Sequence, residues 1–260
     1  MTDFLPRITE ARRAEARART ADGAMEHAEQ ALPDAPPPRD LAAALGADGL
    51  QVIAEIKRAS PSAGAIVADI DPVAIARAYQ HGGAAAISVL TEPDHFHGSL
   101  HDLRAVRGAV ALPVLRKDFN CEPLHVLEAR ASGADAVLLI VAALTGGELA
   151  SLRALTEDIG MTALVEVHAE HEVPLAIDAG ARVIGINTRD LVTLAVDASV
   201  VERVRPSIPA GVLVVGESGI KSRADAEAME RAGCDAVLVG ESLMRAPDPA
   251  AALRALRGEG

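Results

Sequence analysis

The sequence predicts an α/β fold, a single (β/α)8 barrel with an extra N-terminal helical segment. Three observations carry this reading: eight short runs rich in β-branched residues recur along the chain, helical patterns separate them, and the runs are apolar nearly throughout. Strands that alternate apolar and polar residues leave one face in water, whereas continuous apolar runs suit parallel strands covered on both faces. Eight such βα units in series close into a barrel. An open doubly wound sheet, the alternative, would more naturally carry a GxGxxG turn after its first strand, where this chain reads KRASPSAG.

The strand runs are VIAEIK (52–57), AAISVL (85–90), PVLRKD (113–118), AVLLIV (136–141), TALVEV (162–167), VIGIN (183–187), VLVVGE (212–217) and AVLVGE (236–241). Between them, DPVAIARAYQHGGA, EPLHVLEARASGAD, HEVPLAIDAGARV and SRADAEAMERAGCD place apolar residues at helical spacing and end at glycine, which closes a helix and hands the chain to the next strand. Residues 1–45 precede the first strand as an N-terminal helical extension, helical over roughly 7–30, with a Pro-rich linker, LPDAPPPRD. Residues 46–260 form the barrel. The extension is expected either to lie on the surface or to pack over the barrel and help cover one mouth.

Half of the 260 residues are hydrophobic and 24% are charged, which excludes disorder for most of the chain. The formal net charge of −12 argues against general nucleic-acid binding, which depends on neutralising phosphates with Lys and Arg. Any phosphate bound is expected to be small and held locally. The N-terminus has no continuous apolar core of a secretory signal, and no segment approaches the roughly 20 apolar residues that span a bilayer. Two cysteines, Cys121 and Cys234, lie far apart without metal-ligand spacing. They are expected to be packing residues in a reducing cytoplasm, with no structural metal, no membrane and no nucleic-acid partner.

In a (β/α)8 barrel the chemistry lies at the C-terminal ends of the strands, so polar residues that interrupt an apolar strand there are informative. Glu55 and Lys57 alternate on the first strand and so share a face. Lys117 follows PVLR, Glu166 follows TALV, Asn187 closes the sixth strand, and Glu217 with Ser218 closes the seventh. Each alone reads as a solvated rim residue. Together they bring two lysines, three glutamates and an asparagine to one mouth, the mixed acid and base character that proton-transfer catalysis needs. The matched glycine turns GESGI (216–220) and GESLM (240–244) follow the last two strands, where this fold commonly holds phosphate. His95, His97 and His101 surround a glycine turn without metal-site spacing and are expected in a solvated loop.

The runs VIAEIKRASPSAG, ISVLTEPDHFHGSL, PVLRKDFN, ADAVLLIVAAL, TALVEVH, VIGINTRDL, VVGESGI and AVLVGESLM resemble, in order and from about residue 50 to 245, the indole-3-glycerol-phosphate synthase family of tryptophan biosynthesis. EIK-x-ASPS and LRKDF are specific to that family, while GESGI and VLVGE are shared among phosphate-binding barrels. The resemblance implies conversion of 1-(o-carboxyphenylamino)-1-deoxyribulose 5-phosphate to indole-3-glycerol phosphate, with ring closure and loss of CO2 and water, and without metal or organic cofactor. The implied partner is this small sugar phosphate. Transient contacts with other tryptophan-pathway enzymes are compatible with it.

Carried over by motif, Lys117 would be the general acid at the substrate carbonyl, and Glu166 would act as acid or base in the dehydration. Which of Lys57 and Lys117 gives the second proton stays open. Lys57 would neutralise substrate anions with Glu55 holding it, and Asn187 and Glu217 would orient the substrate and the lysines. Arg189 and Ser218 would act from the sixth and seventh strands, while Phe96, Phe119 and Leu138 would contact the anthranilate. Ser60, Gly219, Gly240 and Glu241 fall where the family grips phosphate, Glu241 through its backbone N–H.

Two departures stand out: Ala63 where family members often carry Lys, and Glu241 where they often have Ser or another small residue. The first removes a mobile positive charge near the mouth; the second is tolerable only if the carboxylate turns away from phosphate. A related sugar-phosphate isomerase or lyase would keep the glycine turns but has no need of EIK-x-ASPS with LRKDF. A metabolite-binding barrel without activity would have no need of the catalytic side chains.

Overall fold

The computed structural model describes residues 4–61, 64–66, 70–190 and 192–259. Eight parallel strands close into a barrel: β1 Gln51–Ile56, β2 Ala86–Leu90, β3 Val114–Lys117, β4 Ala136–Ile140, β5 Thr162–Val167, β6 Val183–Asn187, β7 Leu213–Glu217 and β8 Ala236–Val239. Each strand pairs with its neighbours in sequence, and β1 closes the ring against β8 through Gln51 to Ala54 opposite Ala236 to Val239. The expected fold class is therefore the observed one.

Alternation along the strands separates two cores. Val52, Ala54, Ile87, Val137, Leu139, Val165 and Ile184 face outward into the layer covered by the helices. Ile53, Leu115, Leu138, Leu164, Val215 and Leu238 face inward and fill the barrel. The inward series then turns polar at its C-terminal end, reading Glu55, Lys117, Glu166, Asn187 and Glu217. The four helical patterns form helices over Pro72–His81, Pro123–Ala131, Val173–Asp178 and Arg223–Arg231. Each is followed by a left-handed glycine, at Gly83, Gly133, Gly180 and Gly233, where a side chain would be strained.

The N-terminal stretch is two helices, Phe4–Ala21 and Ala24–Ala31, and not one, because Gly23 takes a left-handed conformation between them. The first helix packs over the barrel, with Leu5 and Ile8 buried in the inner core. Its Arg12 reaches the buried Asp118 at 3.0 Å, and Asp118 also binds Arg116 at 2.9 Å and Thr91 Oγ1 at 2.7 Å. Arg116, outward on β3 and 1% exposed, finds further acceptors in Thr91 Oγ1 and the His125 carbonyl. Buried charges persist only when paired and hydrogen-bonded, and here two arginines share one carboxylate.

The Pro-rich linker then runs to the opposite end of the barrel. Arg107 donates to the Pro37 carbonyl, and Asp135, fully buried, accepts from the Arg39 backbone N–H at 2.7 Å and pairs with Arg107 at 2.9 Å. Asp40 caps a short helix, Leu41–Leu45, whose two leucines are buried under the N-terminal ends of the strands. One segment thus covers both ends of the barrel. A short antiparallel pair, Ala59–Ser60 with Gly64–Ala65, follows β1 and was not foreshadowed by the sequence pattern.

Candidate active site

A cavity of about 730 Å³ opens at the C-terminal ends of the strands. Its lining includes Glu55, Lys57, Ser60, Phe96, Lys117, Phe119, Leu138, Glu166, Asn187, Arg189, Glu217, Ser218, Gly219, Gly240 and Glu241, so every candidate site residue reaches one space. Ala63 lies outside the described residues.

Lys117 is central. Its Nζ lies 3.2 Å from Glu166 Oε2 and 3.6 Å from Glu217 Oε2; both carboxylates are buried, and the lysine side chain keeps 15% exposure toward the cavity. Burial alone would lower the lysine pKa, but the carboxylates of Glu166, Glu217 and Glu55 more than offset it and hold Lys117 above its ordinary value. Burial likewise pulls Glu166 upward, but Lys117 and His168 outweigh it and keep Glu166 below the usual carboxylate range. Glu217 moves the other way: burial, with Glu166 close by, pushes its pKa up despite Lys117. One ammonium supports one buried carboxylate, so the second is held toward its neutral form.

Lys57 Nζ pairs with Glu55 Oε1 at 2.8 Å, and Ser88 Oγ approaches the other oxygen of Glu55 at 3.5 Å. Gly240 is needed here, because a Cβ on it would come within 2.5 Å of Glu55 Oε1 and 3.1 Å of Lys57 Nζ. After β7, Ser218 and Gly219 both take positive φ, 69° and 78°. The strain at Ser218 is held by its Oγ donating to Asn187 Oδ1 at 2.8 Å and by Thr188 Oγ1 donating to the Ser218 carbonyl. Asn187 Oδ1 also accepts the Arg189 N–H at 3.0 Å, and the Arg189 guanidinium donates to the Leu194 carbonyl at 2.9 Å.

At the other side of the mouth sits an aromatic wall. Phe119 meets Phe96 at 6.2 Å and Phe4 edge-on at 6.1 Å between ring centroids, and Phe4 in turn packs on His95 at 5.2 Å. The Glu241 carboxylate turns to Arg245 at 3.1 Å, which neutralises it while its N–H stays at the head of a short helix, Glu241–Met244.

The barrel is that of a known family. The family model for indole-3-glycerol phosphate synthase matches residues 5–256. The chain belongs to the indole-3-glycerol phosphate synthase family. The indole-3-glycerol phosphate synthases of Mycobacterium avium and Mycobacterium tuberculosis are 53% and 52% identical over 249 residues, covering 96% of this chain and 92% of each relative. Among solved structures, 3-hexulose-6-phosphate synthase aligns over 81% of this chain and 99% of its own, with TM-score 0.64 and 16% identity. Thiamine phosphate pyrophosphorylase from Pyrococcus furiosus covers 84% and 96%, with TM-score 0.62 and 19% identity. At those identities the likeness shows the barrel fold alone.

This member of the synthase family also carries site residues that sequence reasoning missed. Covering a mouth is one of the two readings expected of the N-terminal extension, but no local pattern singles out Phe4 as the residue that lines the cavity. Lys221 and Arg245 line the cavity directly after the two glycine turns and could have been found from that position. His168 follows Glu166 by two residues, the spacing that puts both on one face of a strand, and its Nε2 lies 3.3 Å from Glu166 Oε1. His95 belongs to a short helix, Pro93–Phe96, and packs on Phe4, so the expected solvated loop is only partly so. Cys121 and Cys234 are buried free thiols, with burial pushing each up to about 12. Among the described residues no group of three or more His, Cys, Asp or Glu could hold a metal ion, and no helix is long and apolar enough to cross a membrane.

Proposed function

We propose that this cavity binds 1-(o-carboxyphenylamino)-1-deoxyribulose 5-phosphate and carries out the family's reaction with Lys117 as general acid. The observation that carries this reading is the placement of Lys117 Nζ between Glu166 and Glu217 at the floor of a cavity with an aromatic wall and glycine turns. The substrate has matching parts: an apolar ring with a carboxylate, a ketone, and a terminal phosphate.

In the first step the ring carbon bearing the carboxylate attacks the ketone carbon, and the carbonyl oxygen takes a proton. Lys117, held in its ammonium form, supplies it. Loss of CO2 returns the bonding pair to the ring and restores aromaticity. The new hydroxyl then leaves as water on receiving a proton, and a proton leaves the adjacent carbon to complete the indole double bond. Glu166 serves this dehydration as acid or base, with either lysine, Lys57 or Lys117, supplying the remaining proton. Lys57, fixed by Glu55, neutralises substrate anions; Asn187 and Glu217 orient substrate and Lys117; Arg189 and Ser218 contribute from the rim. Phe96, Phe119 and Leu138 contact the anthranilate, an aromatic contact worth about 1 kcal/mol beyond its buried area. Ser60 and the N–H groups at Gly219, Gly240 and Glu241 hold the phosphate.

The extension 1–45 acts with the barrel 46–260 as its cover, and buried free thiols suit a cytoplasmic setting, where transient contacts with other pathway enzymes would occur. Incubation of the protein with the carboxyphenylamino-deoxyribulose phosphate is expected to generate indole fluorescence. Folded protein that binds the compound without producing it would defeat the reading in favour of a binding barrel.

A further inference from the structure

Glu166 is gripped from two sides: Lys117 holds Oε2, and His168, just past the end of β5, faces Oε1 at 3.3 Å. His168 is itself held. Its backbone N–H donates to Glu172 Oε2 at 2.6 Å, the same carboxylate lies 3.7 Å from its Nδ1, and its side chain is only 12% exposed. Glu172, on the turn Glu170–Glu172, is buried as well. The result is a string of alternating charge, Glu172, His168, Glu166 and Lys117, in which each group faces opposite charge on at least one side.

We propose that His168 is a positioning residue for Glu166: held by Glu172, its ring fixes Oε1 and leaves Oε2 aimed at Lys117 and the cavity. The inference rests on the reading of Glu166 as the acid or base of the dehydration. Both ring nitrogens are buried and make no directed hydrogen bond among the described residues; each instead faces a carboxylate, Nε2 that of Glu166 at 3.3 Å and Nδ1 that of Glu172 at 3.7 Å, so charge and contact are what hold Glu166 here. The charges around the ring come from three elements. Glu166 lies on β5, Glu172 on the following turn, and Asp190 after β6; Asp190 is held low first by hydrogen bonds from Thr193 and Val192, with His168 the smallest contributor. Burial would lower the imidazole pKa, but the two glutamates raise it to about 10, so the ring is cationic at neutral pH.

The test is the pH dependence of kcat in His168→Ala, His168→Gln and Glu172→Gln, with Glu166→Gln beside them and a thermal melt to confirm folding. His168→Ala is expected to lower kcat roughly 10-fold with KM within about threefold. Loss of a neighbouring cation raises the Glu166 pKa, so the limb of the kcat profile that Glu166 governs, acid if it is the base and basic if it is the acid, moves to higher pH. His168→Gln, which keeps a donor but no charge, is expected to recover part of kcat while the limb stays shifted. Glu172→Gln, remote from the cavity, is expected to shift the limb in the same direction by less, and it decides the matter should His168→Ala fail to fold. Unchanged profiles in the His168 and Glu172 variants, with Glu166→Gln inactive, would overturn the inference while sparing Glu166. Full activity in Glu166→Gln would overturn both.

Discussion

Glu217 reaches Lys117 because residue 185 is glycine. Gly185 sits at an inward position of β6, between Val183 and Asn187, and a Cβ there would overlap Glu217 Oε1. Two strands thus contribute to one carboxylate, β7 with the side chain and β6 with the space for it. Gly185→Ala is therefore expected to displace Glu217 from Lys117, to cut kcat at least about tenfold and to destabilise the fold by about 1–3 kcal/mol through overpacking. Steady-state kinetics and a melt on the same sample check this; wild-type kcat would show that the Glu217 position is not needed.

Lys117→Ala is expected to lower kcat/KM by about 10²–10⁴-fold, the span of general acid–base contributions, while a product analogue still binds. Indole fluorescence and equilibrium titration separate the two effects. Comparable turnover in this variant would assign the acid to another group.

Phe4 is the part of the N-terminal helix that enters the cavity and packs on Phe119. Phe4→Ala removes apolar contact from the anthranilate end without touching the charged groups. The expected result is a KM raised about 10-fold with kcat nearly unchanged, since about 1.4 kcal/mol of uniform binding is tenfold. A selective loss of kcat instead would mean that the helix acts on the chemistry.

Acid stability should follow Asp118 and His125. Arg116 and Arg12, acting against burial, hold Asp118 at about 2, below its ordinary 3.8. Its contribution is present above the unfolded value and is lost as pH falls through the folded one, between about pH 4 and 2, and amounts to roughly 2 kcal/mol. Burial, reinforced by Arg116 and Arg12, lowers His125 to about 3 from 6.5, so the unfolded chain takes up a proton first and stability begins to fall below about pH 6.5. Melting temperature against pH should show both ranges. Asp118→Ala, which leaves two buried arginines without their carboxylate, is expected to cost about 3–5 kcal/mol and to remove the lower one.

The eight apolar runs and the interrupting residues Glu55, Lys117, Glu166, Asn187 and Glu217 determined the barrel and the polar mouth without coordinates. Strand alternation is local, and in a closed parallel barrel it fixes which residues face inward and at which end. Only the tertiary structure decided how those charges pair, that Gly185 makes room for Glu217, that Arg116 and Arg12 share the Asp118 carboxylate, and that Phe4 completes the aromatic wall. These relationships join residues from different strands or from the N-terminal extension. Their spacing along the chain carries no period, and they come about only when the ring closes and the first helix docks on it.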